Sequence, residues 1–123
     1  GNDTLSDNFG NNTLNGGVGN DSLYDGDGNS TLIGGDGDDN VSAWYGSDVV
    51  NGGAGNDNFN DYARETETIN INAGSGNDTV YAAAYGSGDI TIVTGSGNDS
   101  IQVEQNTSGL LAASGGDGDD SVH

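Results

Sequence analysis

Cysteine, proline and methionine are absent from this 123-residue chain. Without cysteine no disulfide can cross-link the fold, and the redox compartment leaves no mark on the sequence. Basic residues are nearly absent too. Arg64 is the single Lys or Arg against 20 Asp and Glu, and the formal net charge is −19. Such a surface repels nucleic acid, acidic polysaccharide and anionic membrane unless metal ions intervene. Apolar residues make up 30% of the chain, and no run of them is long enough to cross a membrane. The lone His stands at position 123 and has no partner set for a triad or a zinc site. There is no initiator Met and no basic, signal-like start, so the chain reads as a fragment or a processed product. Its length allows at most one small domain. Low hydrophobicity with high net charge is the composition of a disordered chain unless something else supplies folding energy.

What the chain has is glycine, 24 residues of it, in a strict period. A nine-residue unit, Gly-Gly-x-Gly-x-Asp-x-U-x with U a large apolar residue, begins at Gly16, Gly34, Gly52 and Gly115. Worn copies begin at Ala73 and Thr94, and a truncated copy, GNDTLS, opens the chain. Through Asn60 the units follow one another every nine residues. From Asp61 onward they alternate with 12-residue connectors, Asp61–Asn72, Ala82–Val93 and Val103–Ser114. Two units make one coil, so residues 1–60 predict 18-residue coils and residues 61–123 predict 21-residue coils. A fixed period of this kind is the mark of a solenoid. The expected fold is all-β, a parallel β-roll or β-solenoid forming one domain over 1–123. Position 8 of the units carries Leu5, Leu23, Val41, Phe59, Val80, Ile101 and Val122 on one side, and Leu14, Leu32 and Val50 on the other. The connectors align Ile69, Ile90 and Leu111, and likewise Ile71, Ile92 and Ala113, alternating with Asn70, Thr91 and Ala112 as in a half-buried strand.

The two sides differ in chemistry. Position 6 on one side is Asp3, Asp21, Asp39, Asp57, Asp78, Asp99 and Asp120. On the other it is Asn12, Ser30 and Asp48, and then the connectors take over. Glycine permits the positive φ that a tight turn needs and curls carbonyl oxygens inward. Carboxylate and carbonyl oxygens without nitrogen or sulfur suit Ca²⁺, which takes six to eight of them in flexible geometry. One turn supplies too few ligands, whereas two stacked turns supply enough. Seven Asp-side turns leave six gaps, which predicts about six Ca²⁺ in a one-sided ladder. The expected ligands are the seven Asp side chains with the carbonyls of Gly17, Gly19, Gly35, Gly37, Gly53, Gly55, Gly74, Gly76, Gly95, Gly97, Gly116 and Gly118. Mg²⁺ suits the site less well, because it keeps its waters and demands a tighter octahedron. Folding and metal binding then become one event. Asp48, in a poor turn, reads as a solvated side chain. Asp25, Asp27, Asp36, Asp38, Asp117 and Asp119 read as solubility and local field, with occasional help to the metal.

The units at Gly16, Gly34, Gly52 and Gly115 resemble the glycine-rich nonapeptide repeats of RTX (repeats-in-toxin) proteins, and the likeness runs over nearly the whole chain. The resemblance implies a Ca²⁺-binding turn in the first six residues of each unit and a short strand in the last three. It implies that Asp21, Asp39, Asp57, Asp78, Asp99 and Asp120 are ligands. It also implies a bacterial protein exported by type I secretion, disordered without Ca²⁺ and folded outside the cell. The typical roll of that family binds Ca²⁺ on both sides and has 18-residue coils. Asn12, Ser30, the connectors and the 21-residue coils depart from that pattern.

These observations predict a non-enzymatic, extracellular structural rod. It is either a segment of a secreted array or adhesin, or the subunit of a fibre that stacks head to tail on itself. Every regular Asp is assigned to metal, which leaves no carboxylate pair for catalysis. A second reading is a binding module. Phe9, Trp44, Tyr45, Tyr62 and Tyr85 fall away from the Asp side as a possible contact surface for carbohydrate or a neighbouring rod. Asn2, Asn20, Asn56, Asn77 and Asn98 recur at position 5, interrupted by Asp38 and Asp119, a ladder that resembles those of calcium-dependent antifreeze domains. The Thr that such ice-binding ladders carry two residues earlier is missing. A third reading is the secretion and folding module of an RTX enzyme.

Overall fold

A computed structural model describes residues 1–105 and 108–123. Among these residues the chain is all strand and turn, and the strands, numbered in chain order, alternate between two sheets. The first sheet stacks β1 (Thr4–Phe9), β3 (Ser22–Asp27), β5 (Asn40–Trp44), β7 (Asn58–Glu65), β9 (Thr79–Gly86), β11 (Ser100–Gln105) and β13 (Ser121–Val122). The second stacks β2 (Thr13–Val18), β4 (Thr31–Asp36), β6 (Asp48–Ala54), β8 (Ile69–Ser75), β10 (Ile90–Ser96) and β12 (Leu111–Ser114). Every pairing is parallel, so the chain climbs one coil with each pair of strands.

The register follows the repeat. Thr4 pairs with Ser22, Ser22 with Asn40 and Asn40 with Asn58, a step of 18 residues. Asn58 then pairs with Thr79, Thr79 with Ser100 and Ser100 with Ser121, a step of 21. In the first sheet Leu5, Leu23, Val41, Phe59, Val80, Ile101 and Val122 form one column. In the second, Leu14, Leu32, Val50, Ile71, Ile92 and Ala113 form another. The interior members of both columns are buried, and together they make a core one side chain deep from each sheet. Strand residues between them point to solvent, as the two-residue period of a pleated strand dictates.

The extra three residues of the later coils all go to one edge of the roll. β7 and β9 have 8 residues where β5 has 5, because the first sheet runs on through what was a turn. Ala63, Ala82, Ala83 and Ala84 fill the widened interior. Ile69 stands in register with Asp48, and Ile90 with Ile69. The slot that holds Asn12, Ser30 and Asp48 in the earlier coils is therefore apolar in the later ones. The third connector includes residues 106 and 107, which lie outside the described residues.

Asp48 and Asp25 correct the sequence-based expectation. Both were expected in solvent, and they are 1% and 0% exposed. Positions 1 and 6 of this turn face inward between the sheets, whatever residue occupies them.

Close stacking demands glycine in the turns. Gly74 has φ +113, and a Cβ there would lie 2.1 Å from the carbonyl oxygen of Gly53 in the coil before. Gly74→Ala therefore combines a left-handed backbone, which costs an L-residue about 1–2 kcal/mol, with an overlap that forces two coils apart. Thermal unfolding in Ca²⁺ is expected to shift down by ten degrees or more, at about 4–8 °C per kcal/mol for a domain of this size. An unchanged melting temperature would show that the stack spreads freely.

Candidate metal centre

The six-residue turns from the second sheet to the first carry the Asp column. Each Asp plays two parts through its two oxygens. Oδ1 reaches back one coil and accepts the backbone N–H of the preceding Asp: Asp21 from Asp3 at 2.6 Å, Asp39 from Asp21 at 2.8 Å, and Asp57 from Asp39 at 2.8 Å. The series continues with Asp78 from Asp57, Asp99 from Asp78, and Asp120 from Asp99 at 3.0 Å. Position 5 works in the opposite direction. Asn2, Asn20, Asp38, Asn56, Asn77 and Asn98 each accept, through Oδ1, the N–H of the position-5 residue one coil later. Two adjacent turn N–H groups per coil are thus satisfied by side chains above and below. This is why short Asx residues occupy both positions. The Asn ladder has a structural task that the sequence alone did not show.

The second oxygen of each Asp has no such task. Oδ2 of Asp21, Asp39, Asp57, Asp78 and Asp99 is buried and has no hydrogen-bond partner. The five residues are 1–3% exposed, whereas Asp3 is exposed and Asp120 partly so. A buried orphan oxygen is costly, and one that is also ionised more so. Five in a column mark the place of a cation. The turn is shaped around that oxygen: a Cβ on Gly34 would lie 2.3 Å from Asp39 Oδ2 and 2.8 Å from the carbonyl oxygen of Gly52 one coil on. At Gly52 the corresponding distances are 2.5 Å to Asp57 Oδ2 and 2.3 Å to the Ala73 carbonyl oxygen. Carboxylate and carbonyl therefore meet where position 1 has no side chain.

All donors here are hard oxygens, so the residues fit Ca²⁺. Among the described residues no three His, Cys, Asp or Glu side chains close on a single point. An ion here draws on carboxylates of adjacent coils and on backbone. The sequence-based ligand set placed the carbonyls at positions 2 and 4. Those of Gly17 and Gly19 instead point along the stack, each about 2 Å from where a Cβ would sit on Gly35 and Gly37. The position-1 carbonyls of Gly52 and Ala73, beside Oδ2, were missed because no side-chain pattern marks a carbonyl. At Thr94 the hydroxyl donates to the Gly115 carbonyl oxygen at 2.8 Å.

Burial raises the carboxyl pKa of Asp39 and Asp78 and lifts Asp57 to about 6, with the neighbouring Asp charges adding to it. The metal-free fold therefore holds more protons than the unfolded chain between about pH 4 and 6. Its stability is present at low pH and is lost as pH rises through about 6. Without metal, the chain is expected to regain sheet structure as pH falls from about 7 to about 4, read by circular dichroism in EDTA. In Ca²⁺ the same protons compete with the ion, so half-saturation moves to higher Ca²⁺ below about pH 6. A metal-free chain equally unfolded across this range would contradict the burial of these carboxylates.

The opposite edge gathers the aromatic residues. Phe9, Trp44 and Tyr45, with Tyr24 and Arg64, line an open groove of about 420 Å³. Trp44 packs against Tyr62 at 4.8 Å between ring centroids, and Tyr62 against Tyr81 at 5.6 Å. The Arg64 guanidinium lies 3.5 Å from the ring centroid of Tyr45 and 3.8 Å from an Asp27 carboxylate oxygen. Tyr45 holds a left-handed backbone, φ 64, uncommon for a bulky residue. Tyr85 pairs in register with Arg64 one coil on, is 52% exposed, and stands outside the groove.

A family model for the RTX calcium-binding nonapeptide repeat matches residues 1–31, 24–59, 70–84 and 85–104, together more than half of the chain. No curated protein matches it, and no solved structure does.

Proposed function

The chain belongs to the RTX calcium-binding nonapeptide repeat family, and on that premise we propose that it is an extracellular rod set by Ca²⁺. As a repeat module it is structural and calcium-binding, and not catalytic by itself. The finer reading is that about six Ca²⁺ fill the gaps between the seven Asp-side turns. The rod serves as a segment of a secreted array or adhesin, or as the subunit of a fibre. The observation that carries this reading is the column of five buried, unpartnered Asp oxygens. Repeats of this family typically occur in secreted proteins, which supports export. Ca²⁺ is scarce in the bacterial cytoplasm and plentiful outside, so the chain would travel unfolded and set on arrival.

Electron microscopy of the purified chain in millimolar Ca²⁺, beside an EDTA-treated half, tests the proposal. Short rods that dissolve in EDTA support the array segment, and long fibres that vanish in EDTA support the fibre subunit. Particles indifferent to EDTA would overturn the calcium-set rod. A second reading, carbohydrate binding, is favoured by the groove of Phe9, Tyr24, Trp44 and Tyr45, where aromatic faces stand beside the polar Asn8, Asp27 and Arg64. Quenching or shifting of Trp44 fluorescence by an oligosaccharide, lost in Tyr45→Ala, would establish it. The ice reading draws less support, because the Asn oxygens are already taken by backbone N–H groups.

A further inference from the structure

On the edge opposite the Asp column, three more carboxylates turn inward from successive coils. Asp25, Asp48 and Asp61 are 0%, 1% and 1% exposed. Both oxygens of Asp25, both of Asp61 and Oδ2 of Asp48 have no hydrogen-bond partner, while Asp48 Oδ1 accepts the Ser30 N–H at 2.7 Å. These residues do not follow the repeat. Asp25 and Asp61 stand at position 1, in one column with Ala43 between them. Asp48 stands at position 6, in the column of Asn12, Ser30 and Ile69.

The two columns are complementary. Asp25 shares its coil with the short Ser30, Asp48 with the short Ala43, and Asp61 with the apolar Ile69. Each coil thus places one inward carboxylate in the same interior space, from alternating walls. The stretch is bounded. One coil further on, Ala82 replaces Asp61 and Ile90 follows Ile69, and both are fully buried. One coil earlier, Asp7 is exposed.

No cation on the chain serves this cluster. Asp48 experiences the charges of Asp25 and Glu67, and Asp61 those of Asp48 and Glu67. The single Arg, Arg64, is engaged by Asp27 and the Tyr45 face. Glu67 Oε2 accepts the Arg64 N–H. Five orphaned buried oxygens from three acids have the donor set of a hard divalent cation and no other partner.

We propose that Asp48 and Asp61, with Asp25 one coil earlier, form a discrete Ca²⁺-type site that is separate from the Asp column and built mainly from position-1 carboxylates. It does not require the column to be filled, and its test reads the two apart. Trp44, the single Trp of the chain, lies in the same turn as Asp48. Tb³⁺ added to the full chain in limiting Ca²⁺ is therefore expected to emit when Trp44 is excited, and excess Ca²⁺ should displace it. In Asp61→Asn, and separately in Asp48→Asn, the apparent Tb³⁺ affinity of this signal should fall at least about 10-fold, the loss known even for outer-sphere partners of a metal. Circular dichroism in Ca²⁺ checks that each variant still folds, and Asp25→Asn provides a third variant should one of them not. Asp99→Asn, in the column, should leave the Trp44-sensitised signal unchanged. Absence of that signal in folded wild-type chain would overturn the proposal. So would a signal that persists at full affinity in both Asp48→Asn and Asp61→Asn. A rise in thermal stability of these variants in Ca²⁺, with no Tb³⁺ signal in the wild type, would show a cluster that holds protons instead of metal.

Discussion

Chelation of Ca²⁺ is expected to unfold the whole chain, with the radius of gyration rising from about 14 Å to about 36 Å on the scaling for 123 residues. The size of this effect follows from one comparison. Carboxylates on stacked coils about 4.8 Å apart repel by about 3 kcal/mol per neighbouring pair at an effective dielectric constant near 20. The five buried carboxylates, Asp21, Asp39, Asp57, Asp78 and Asp99, form four such pairs. Their repulsion is on the order of 12 kcal/mol, as large as the net stability of an ordinary domain. The thin core of Leu, Val, Ile and one Phe has no surplus to offset it. Small-angle scattering with a Ca²⁺ titration is the direct measurement, and the transition should be cooperative because each Asp is shared between adjacent coils. A compact particle at neutral pH in EDTA would mean that the Asp column is neutralised by something other than metal.

Replacing Asp57 is expected to change sign with the metal. Asp57 sits mid-column: its Oδ1 accepts the Asp39 N–H at 2.8 Å, its own N–H donates to Asp78 Oδ1, and its Oδ2 is orphaned. Asp57→Asn keeps an oxygen for the Asp39 N–H but removes the charge. In Ca²⁺ it weakens both ions that flank it, so the melting temperature should fall by ten degrees or more, at about 4–8 °C per kcal/mol. In EDTA the same change removes two repulsive pairs, and the variant should hold more residual sheet than the wild type. Asp57→Ala also strands the buried Asp39 N–H, a further cost of about 1–3 kcal/mol, so it should fall below Asp57→Asn under both conditions. Melting curves of the three proteins with and without Ca²⁺ give the ranking. A wild type more stable than Asp57→Asn in EDTA would show that the carboxylate acts through hydrogen bonding and not as a ligand.

The architecture was legible because the repeat is periodic in the property that matters. A parallel stack aligns equivalent positions, so counting to 18 and then to 21 was enough to place Leu23 on Val41 and Ile69 on Ile90. The Asp column was legible for the same reason: an acid at one fixed position of every unit has no purpose in a solvated tract. Residues that break the period were not legible. Asp25 and Asp61 stand where the repeat calls for Gly, and from sequence they look like any other surface acid. Only the stacked coils show that position 1 faces inward and that Ser30 and Ala43 make room for the carboxylates next to them. The Asn ladder was misleading in the opposite way, because its regularity suggested an outward-facing surface until its oxygens were found bonded to backbone.

The sequence by itself determined the coil length, the identity of the two core columns, the all-Asp side and the oxygen-only chemistry that points to Ca²⁺. These are consequences of spacing and residue type, and they hold for any stack with this period. The tertiary structure alone decided which oxygen of each Asp is free, which carbonyls stand beside it, and which aperiodic acids are buried. Those depend on the direction in which a turn aims its atoms, and that direction is set by contacts between coils 18 or 21 residues apart.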